Sequence, residues 1–398
     1  MTVSAKRPGG AAVVVVGGGV TGLSTAWWLA RSGIDVVVVE QGIVGWEASG
    51  RNGGGATHHY SPLFKEEQRL WPQLDDLLGY PTEFRPNRIR LAFDEQQMNA
   101  FEQAVRNGER QGFSSTWLDS KALRELVPIA APDVLRAVFF HFGGHANPQR
   151  TVQAFAWAIQ DLGGRIAQHT TVTGIRTQGG RAVAVETNRG QFACDALVLC
   201  AGVQTQQVAA LVGARVPVAV ARNEMIVTDA VPPMAHGGVD GNGLYGRQTL
   251  RGNLAYGGGP HEWLPPADVV RGAKTSTPLL GHLARRLARM FPAVKHVRVL
   301  RAWSGLVENT PDGRPIIDRL AALDNVAVAT MSSIGFGLSP ASGRAIAELV
   351  QYGECRFADI SSFSLSRFSN LERDWQAERG WVPVPDGADS NFADAPSP

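Results

Sequence analysis

Four residues near the amino terminus have the spacing to hold a dinucleotide. Gly17, Gly19 and Gly22 form a Gly-x-Gly-x-x-Gly turn, and Glu40 follows 18 residues after the last of them. In such a turn the first glycine permits the bend and the second lets a diphosphate reach the backbone. The third lets helix and strand pack closely. The free N–H groups at the start of the following helix, around Val20 and Thr21, and its dipole favour anions. Glu40, with Gln41 beside it, stands where an acid takes the hydroxyls of a ribose.

That chemistry needs a strand, a turn, a helix and a second strand. Residues 11–16 are a continuous β-branched apolar run, the pattern of a strand covered on both faces. Residues 23–32 read as a helix that Gly33 ends, and residues 34–39 as a second buried strand. A parallel α/β nucleotide-binding unit is the expected fold class.

The whole chain has 398 residues, 44% hydrophobic and 19% charged, enough for two or three domains and too apolar for global disorder. A formal net charge of +2 gives no field for holding a polyanion, so nucleic-acid binding through charge is not expected. Cys194, Cys200 and Cys355 lack CxxC spacing, and His141 and His145, four apart, flank Phe142-Gly143-Gly144 rather than share a helix. Neither zinc, another metal nor a disulfide framework is expected. The unpaired cysteines fit a reduced, cytoplasmic compartment, and no apolar stretch is long enough to span a membrane.

A second segment decides which dinucleotide. Gly45-Trp46-Glu47-Ala48-Ser49-Gly50-Arg51-Asn52-Gly53-Gly54-Gly55 is so poor in side chains that backbone N–H groups can lie against a flat ring system and a diphosphate. Arg51 and Asn52 would add fixed polar contacts. Together with Arg301-Ala302-Trp303-Ser304-Gly305-Leu306 and Asn309-Thr310-Pro311-Asp312-Gly313-Arg314-Pro315, this run resembles the D-amino-acid oxidase family of FAD-dependent oxidoreductases. Members of that family act on glycine, sarcosine and gamma-glutamylputrescine. The resemblance implies a Rossmann-like FAD domain assembled from residues 1–90, 145–215 and 300–380. It also implies an α+β substrate domain with an antiparallel sheet from 91–144 and 216–299, and residues 383–398 would be a flexible tail.

Site residues follow from the same resemblance. Ser49, Arg51, Asn52, Gly53 and Gly54 would flank the flavin. Val172, on a strand expected over 165–175, would hold the adenine through its backbone. Ala201 and Gly202 would end a strand near the phosphates. Gly305 and the run Gly335-Phe336-Gly337-Leu338-Ser339 would approach the ring, with Ser339 capping a helix whose first turn holds Pro340. Such a helix start favours the anionic reduced ring. Where some members carry a linking Cys or His, this chain has Gly305 and Glu47, so non-covalent FAD is expected.

The implied reaction is hydride removal from a carbon beside nitrogen, followed by imine hydrolysis, on a small amine or amino acid. Dioxygen is the expected acceptor. A dehydrogenase feeding a quinone or protein partner, a flavin monooxygenase and a silent subunit are the alternatives. Two of the family's carboxylate anchors are replaced here by Val307 and Gly337. Either Arg51, Arg222, Arg247 or Arg301 substitutes for them, or the substrate has no α-carboxylate. Glu308 would then favour a cationic amine. His58 and His59 would border the pocket and could tune the substrate's proton. Arg285, Arg286 and Arg289 would form a solvated helix face.

Overall fold

A computed structural model describes residues 9–56, 60–265 and 274–381. Its described strands form two sheets. The first has eight strands, and its spine runs Ile316–Arg319, Val326–Thr330, Gly190–Leu199, Gly10–Val16, Val36–Val39, Arg165–Ala167. Neighbours along the spine are parallel except for the outermost pair, Ile316–Arg319 with Val326–Thr330. Val172–Gln178 and Arg181–Thr187 form an antiparallel meander with the first half of Gly190–Leu199.

The valine runs are unbroken because both faces of this sheet are covered. Val13, Val15, Val36 and Val38 pack beneath the helices Val20–Arg31, Pro148–Asp161 and Gly335–Tyr352. Val14, Val16, Val37 and Val39 face a second core that includes Val185, Val216 and Leu320. The chain therefore has the Rossmann-like α/β unit that its glycine turn requires.

The second sheet has nine strands. They lie in the order Val299–Asn309, Ala219–Ala230, Asn253–Trp263, Leu244–Gln248, Val239–Gly241, Arg85–Ala92, Arg136–His145, Gly55–Ala56, with Ser115–Leu118 paired to Arg136–His145. All pairs are antiparallel except Val239–Gly241 with Arg85–Ala92. One face packs Ile226, Leu254 and Tyr256 against Leu283, Leu287 and Met290 of the helix Thr277–Met290. On the other face, Val138, Phe140 and Phe142 pack on Ala104 and Val105 of the helix Glu95–Arg110, and the strand Leu244–Gln248 meets the glycine run.

Several elements differ from the expectation. The first helix starts at Val20, because Gly19 is already its N-cap. The strand expected over 165–175 is two strands, interrupted where His169 takes a φ of +52°. Ser339 is not a cap: the helix begins at Gly335 and carries Pro340 inside it. A proline there deprives the Phe336 carbonyl of its helical donor. Neighbouring indoles hold the same turns in place, Trp71 donating to Gly337 O at 2.7 Å and Trp28 to Pro340 O at 2.9 Å. Arg285 and Arg289 are exposed, but Arg286 is not part of a solvated face. It donates to Asn242 O at 2.7 Å and to Gly259 O at 2.9 Å, tying its helix to the sheet. The expected tail, 383–398, lies outside the described residues, as do His58 and His59.

Candidate cofactor-binding and active site

The turn after the first strand has no room for side chains. Gly17 sits at φ +109°, and a Cβ there would lie 2.2 Å from Cys200 O. At Gly22 a Cβ would lie 2.1 Å from Gly17 O. Ala201 and Gly202 follow Cys200 directly, so the end of that strand is pressed against the turn. Cys200 itself is buried, and burial pushes its thiol up to about 12, which suits a packing residue rather than a nucleophile.

Glu40 closes the turn from the second strand. Its Oε2 accepts from Gly18 N and its Oε1 from Gly42 N, both at 2.7 Å. Burial raises the Glu40 pKa, and those two amide donors oppose the rise. Gln41 lies between the two donors in sequence. Residues 167–170 run alongside: Glu40 N donates to Ala167 O and Thr170 N to Glu40 O. Val172 opens the next strand, two residues after Thr170.

The glycine run reaches the same helix start. Val20 N donates to Ser49 Oγ at 2.9 Å, and a Cβ on Gly19 would be 3.1 Å from that oxygen. Asn52 fixes the run from within, donating to Ala48 O and Ser49 O and accepting from Gly54 N. Arg51 ties it to the second sheet. Its Nε donates to Trp46 O at 2.7 Å and its Nη1 to Ser304 O at 2.9 Å, while Trp303 Nε1 donates back to Arg51 O at 2.8 Å.

Opposite the run stands the strand Leu244–Gln248. Tyr245 and Arg247 are two apart on it and share one face. A Cβ on Gly53 would lie 2.8 Å from Tyr245 Cδ2, and one on Gly54 3.0 Å from Arg247 Nη1, which donates to Gly53 O at 2.8 Å. Gly305 opposes Asn223, and a Cβ on it would lie 3.5 Å from the Arg51 side chain. A Cβ on Gly335 would lie 3.5 Å from Thr21 Oγ1. The helix of Phe336, Gly337, Leu338 and Ser339 thus starts beside the glycine turn.

Glu308 is elsewhere. It alternates with Val307 and is buried, accepting from Met331 N at 3.1 Å. Burial raises its pKa. It supports the turn before the helix Gly335–Tyr352 rather than facing Tyr245. Tyr245, Tyr256 and Trp263 read from the sequence as candidate pocket linings; Tyr245 meets the run, whereas Tyr256 is core, with its hydroxyl on Val239 O, and Trp263 stacks on Trp381 at 4.5 Å. The sequence reading missed the Trp303 bond and a buried polar group at Arg88, His145 and His236. Alternation along the strands could have paired Tyr245 with Arg247; the rest depends on register.

His236 makes that buried group visible in solution. Burial, then the nearby Arg88 charge, lowers its pKa from 6.5 to about 4. His145 is lowered for the same first reason. A histidine held neutral in the folded state is protonated first in the unfolded chain. Its stability contribution is full above about 6.5 and is lost as pH falls toward 4. Urea midpoints should decline over that window, and less steeply in His236→Asn. A parallel decline in both proteins would refute the assignment.

Among the described residues no cluster could hold a metal ion, and no helix is long and apolar enough to cross a membrane. The packing that leaves backbone alone at the turn, an acid on the second strand and a side-chain-poor run against a sheet face fits FAD. Residues 12–349 match the family model described as FAD dependent oxidoreductase, DAO. The chain is 31% identical over 372 residues to sarcosine oxidase subunit beta of Rhodobacter capsulatus, covering 89% of this chain and 88% of the relative. It is 29% identical to gamma-glutamylputrescine oxidoreductase of Escherichia coli, covering 87% of this chain and 84% of the relative. Glycine oxidase of Geobacillus kaustophilus superposes with a TM-score of 0.82 at 25% identity, over 90% of this chain and 99% of that one. The turn, the run and these matches agree that the chain belongs to the DAO family of FAD-dependent oxidoreductases.

Proposed function

We propose that the protein oxidises a carbon–nitrogen bond in a small amine or amino acid, with dioxygen as the final acceptor. The observation that carries this reading is the seating of Gly53 and Gly54 against the Tyr245–Arg247 strand, in a run that Arg51 ties to Ser304 and Ser49 ties to the diphosphate turn. Support also comes from relatives named for sarcosine and gamma-glutamylputrescine. When bound, FAD supplies a two-electron acceptor. The chain's own work is to hold the substrate over it and keep out water. A substrate that arrives as neutral amine loses hydride from carbon and a proton from nitrogen, and the imine takes up water to give a carbonyl and an amine. Two electrons and two protons then reduce dioxygen to hydrogen peroxide. No general base is required, and none is assigned.

The turn residues Gly17, Gly19, Val20, Thr21 and Gly22 would hold the diphosphate, and Glu40 the ribose. Val172, Ala201 and Gly202 would line the adenine side. The run from Ser49 to Gly54, together with Gly305 and residues 335–339, would surround the ring. We assign the eight-stranded sheet and its helices to a cofactor domain and the nine-stranded sheet to a substrate domain. We also infer a reduced, cytoplasmic compartment from the unclustered spacing of the three cysteines.

The test is anaerobic mixing with glycine, sarcosine, proline, other amino acids and polyamines, followed by air. Bleaching by at least one amine and stoichiometric peroxide are expected. A flavin bleached by none of them sinks the reading. Bleaching without peroxide in air would favour a quinone or protein acceptor instead, a second reading supported by the absence of lysine between residues 122 and 273. Because Gly305 and Glu47 cannot form the family's covalent links, acid precipitation should leave the flavin in the supernatant. Yellow precipitate would contradict non-covalent binding.

A further inference from the structure

The helix Gly335–Tyr352 is entered through two residues in the left-handed region, Ser332 at φ +48° and Ser333 at φ +70°. Consecutive non-glycine residues there are strained, and such strain persists only where the surroundings hold it. Glycine would take both angles freely. What serine adds is a hydroxyl, and each of these hydroxyls has a partner at the end of the strand Val299–Asn309.

The partners form a ledge of three successive residues. Met331 N donates to Glu308 Oε1 at 3.1 Å, Thr310 N to Ser332 Oγ at 3.1 Å, and Ser333 Oγ to Asn309 Oδ1 at 2.8 Å. The ledge is buried: Thr310 is 0%, Asn309 8% and Glu308 9% exposed. It belongs to the edge strand of the nine-stranded sheet, whereas the serines follow the carboxyl end of Val326–Thr330 in the eight-stranded sheet. That strand is parallel to Gly190–Leu199, which is parallel to Gly10–Val16. Residues 331–335, 200–202 and 17–19 therefore emerge at one end of the sheet, the end where open α/β sheets receive ligands. Two groups at this end are ready for one. The first N–H groups of Gly335–Tyr352 have no side-chain cap, and Asn309 Nδ2 is buried without a partner.

We propose that Ser332 and Ser333, held by Glu308, Asn309 and Thr310, are positioning residues that fix the start of the helix Gly335–Tyr352 against the flavin and so set its reduction potential. This rests on the reading that puts residues 335–339 beside the ring. Free N–H groups at a helix start favour the anion that reduction forms, and they do so most when they cannot shift away from it. A turn that served stability alone would be better made of glycine. The strained pair instead trades backbone comfort for a fixed aim, and it makes the two sheets meet at the ring.

The test is the midpoint potential of the flavin-loaded protein, read against a reference dye, beside the urea midpoint of the same protein in its oxidised form. Ser333→Gly relieves strain and loses the bond to Asn309. Its urea midpoint should hold or rise, while its potential falls by at least about 30 mV, a ten-fold shift for a two-electron couple. Asn309→Ala should lower the potential in the same direction. Ser333 is exposed, and asparagine tolerates the left-handed region, so Ser333→Asn can donate to Asn309 Oδ1 and should keep the wild-type potential. An unchanged potential in Ser333→Gly overturns the proposal. So does a potential that falls only together with the urea midpoint, which would make the turn merely structural. Should Ser333→Gly release its flavin, Asn309→Ala decides. Gly335→Asp reads the placement beneath the proposal, since a carboxylate at the helix start should lower the potential or expel the flavin. If it does neither, the ring is not there and the placement itself falls. If it does and the Ser333 variants match wild type, only this inference is lost. No measurement in the set needs turnover.

Discussion

Gly22→Val should yield a folded but colourless protein. The Cβ would sit 2.1 Å from Gly17 O and 3.3 Å from Val15 Cγ1. The first contact is with backbone, so no side chain can swing aside. Either the first helix withdraws from the first strand or the glycine turn opens, and both displace the N–H groups of residues 19–21. We expect flavin affinity to fall at least about 100-fold, or roughly 3 kcal/mol at 1.4 kcal/mol per decade. The ratio of flavin to protein absorbance in purified material measures this, and far-UV circular dichroism checks that the sheets persist. Gly55→Ala is the control, because a Cβ there meets nothing within 4 Å, and it should stay yellow. Wild-type colour in Gly22→Val would show that close helix–strand packing is not what the cofactor needs.

The residues of that turn were legible without a structure because local rules suffice. A doubly covered strand must be continuously apolar, and only glycine tolerates both φ +109° at position 17 and backbone contact at position 22. Where the reading failed, the deciding partner was far away in sequence. Proline 340 looked like a helix start, yet the helix continues through it, its flanking carbonyls bonded by Trp71 and Trp28 from other helices. Glu308 looked like a pocket acid, but the pairing of Gly305 with Asn223 sets the register of its strand. One residue of shift would have turned Glu308 toward the run. The four candidate arginines differ in nothing a sequence displays. What separates Arg247 from Arg222 is which face of the sheet each occupies and whether Glu262 is within reach.

Replacing Arg51 should loosen the cofactor side of the site without unfolding either sheet. Its guanidinium bridges Trp46 O at 2.7 Å and Ser304 O at 2.9 Å, one acceptor in the run and one in the second sheet. Hydrogen bonds from a charged donor contribute about 1.5–3 kcal/mol each when buried, and this donor is half-exposed, so the lower end applies. Arg51→Met should therefore weaken flavin retention about 30- to 100-fold, from about 2–3 kcal/mol. Lysine should recover little, since one ammonium replaces two separate nitrogens of a fixed fork. The backbone carbonyl of residue 51 survives either change and still accepts from Trp303 Nε1. That second tie makes a sharper test. If both bonds hold the same loop, Trp303→Phe should cost more in the Arg51→Met background than in wild type, a coupling readable by a double-mutant cycle on flavin dissociation. Strictly additive losses would mean that Arg51 and Trp303 act on the flavin separately, and the loop-clamp explanation would have to be given up.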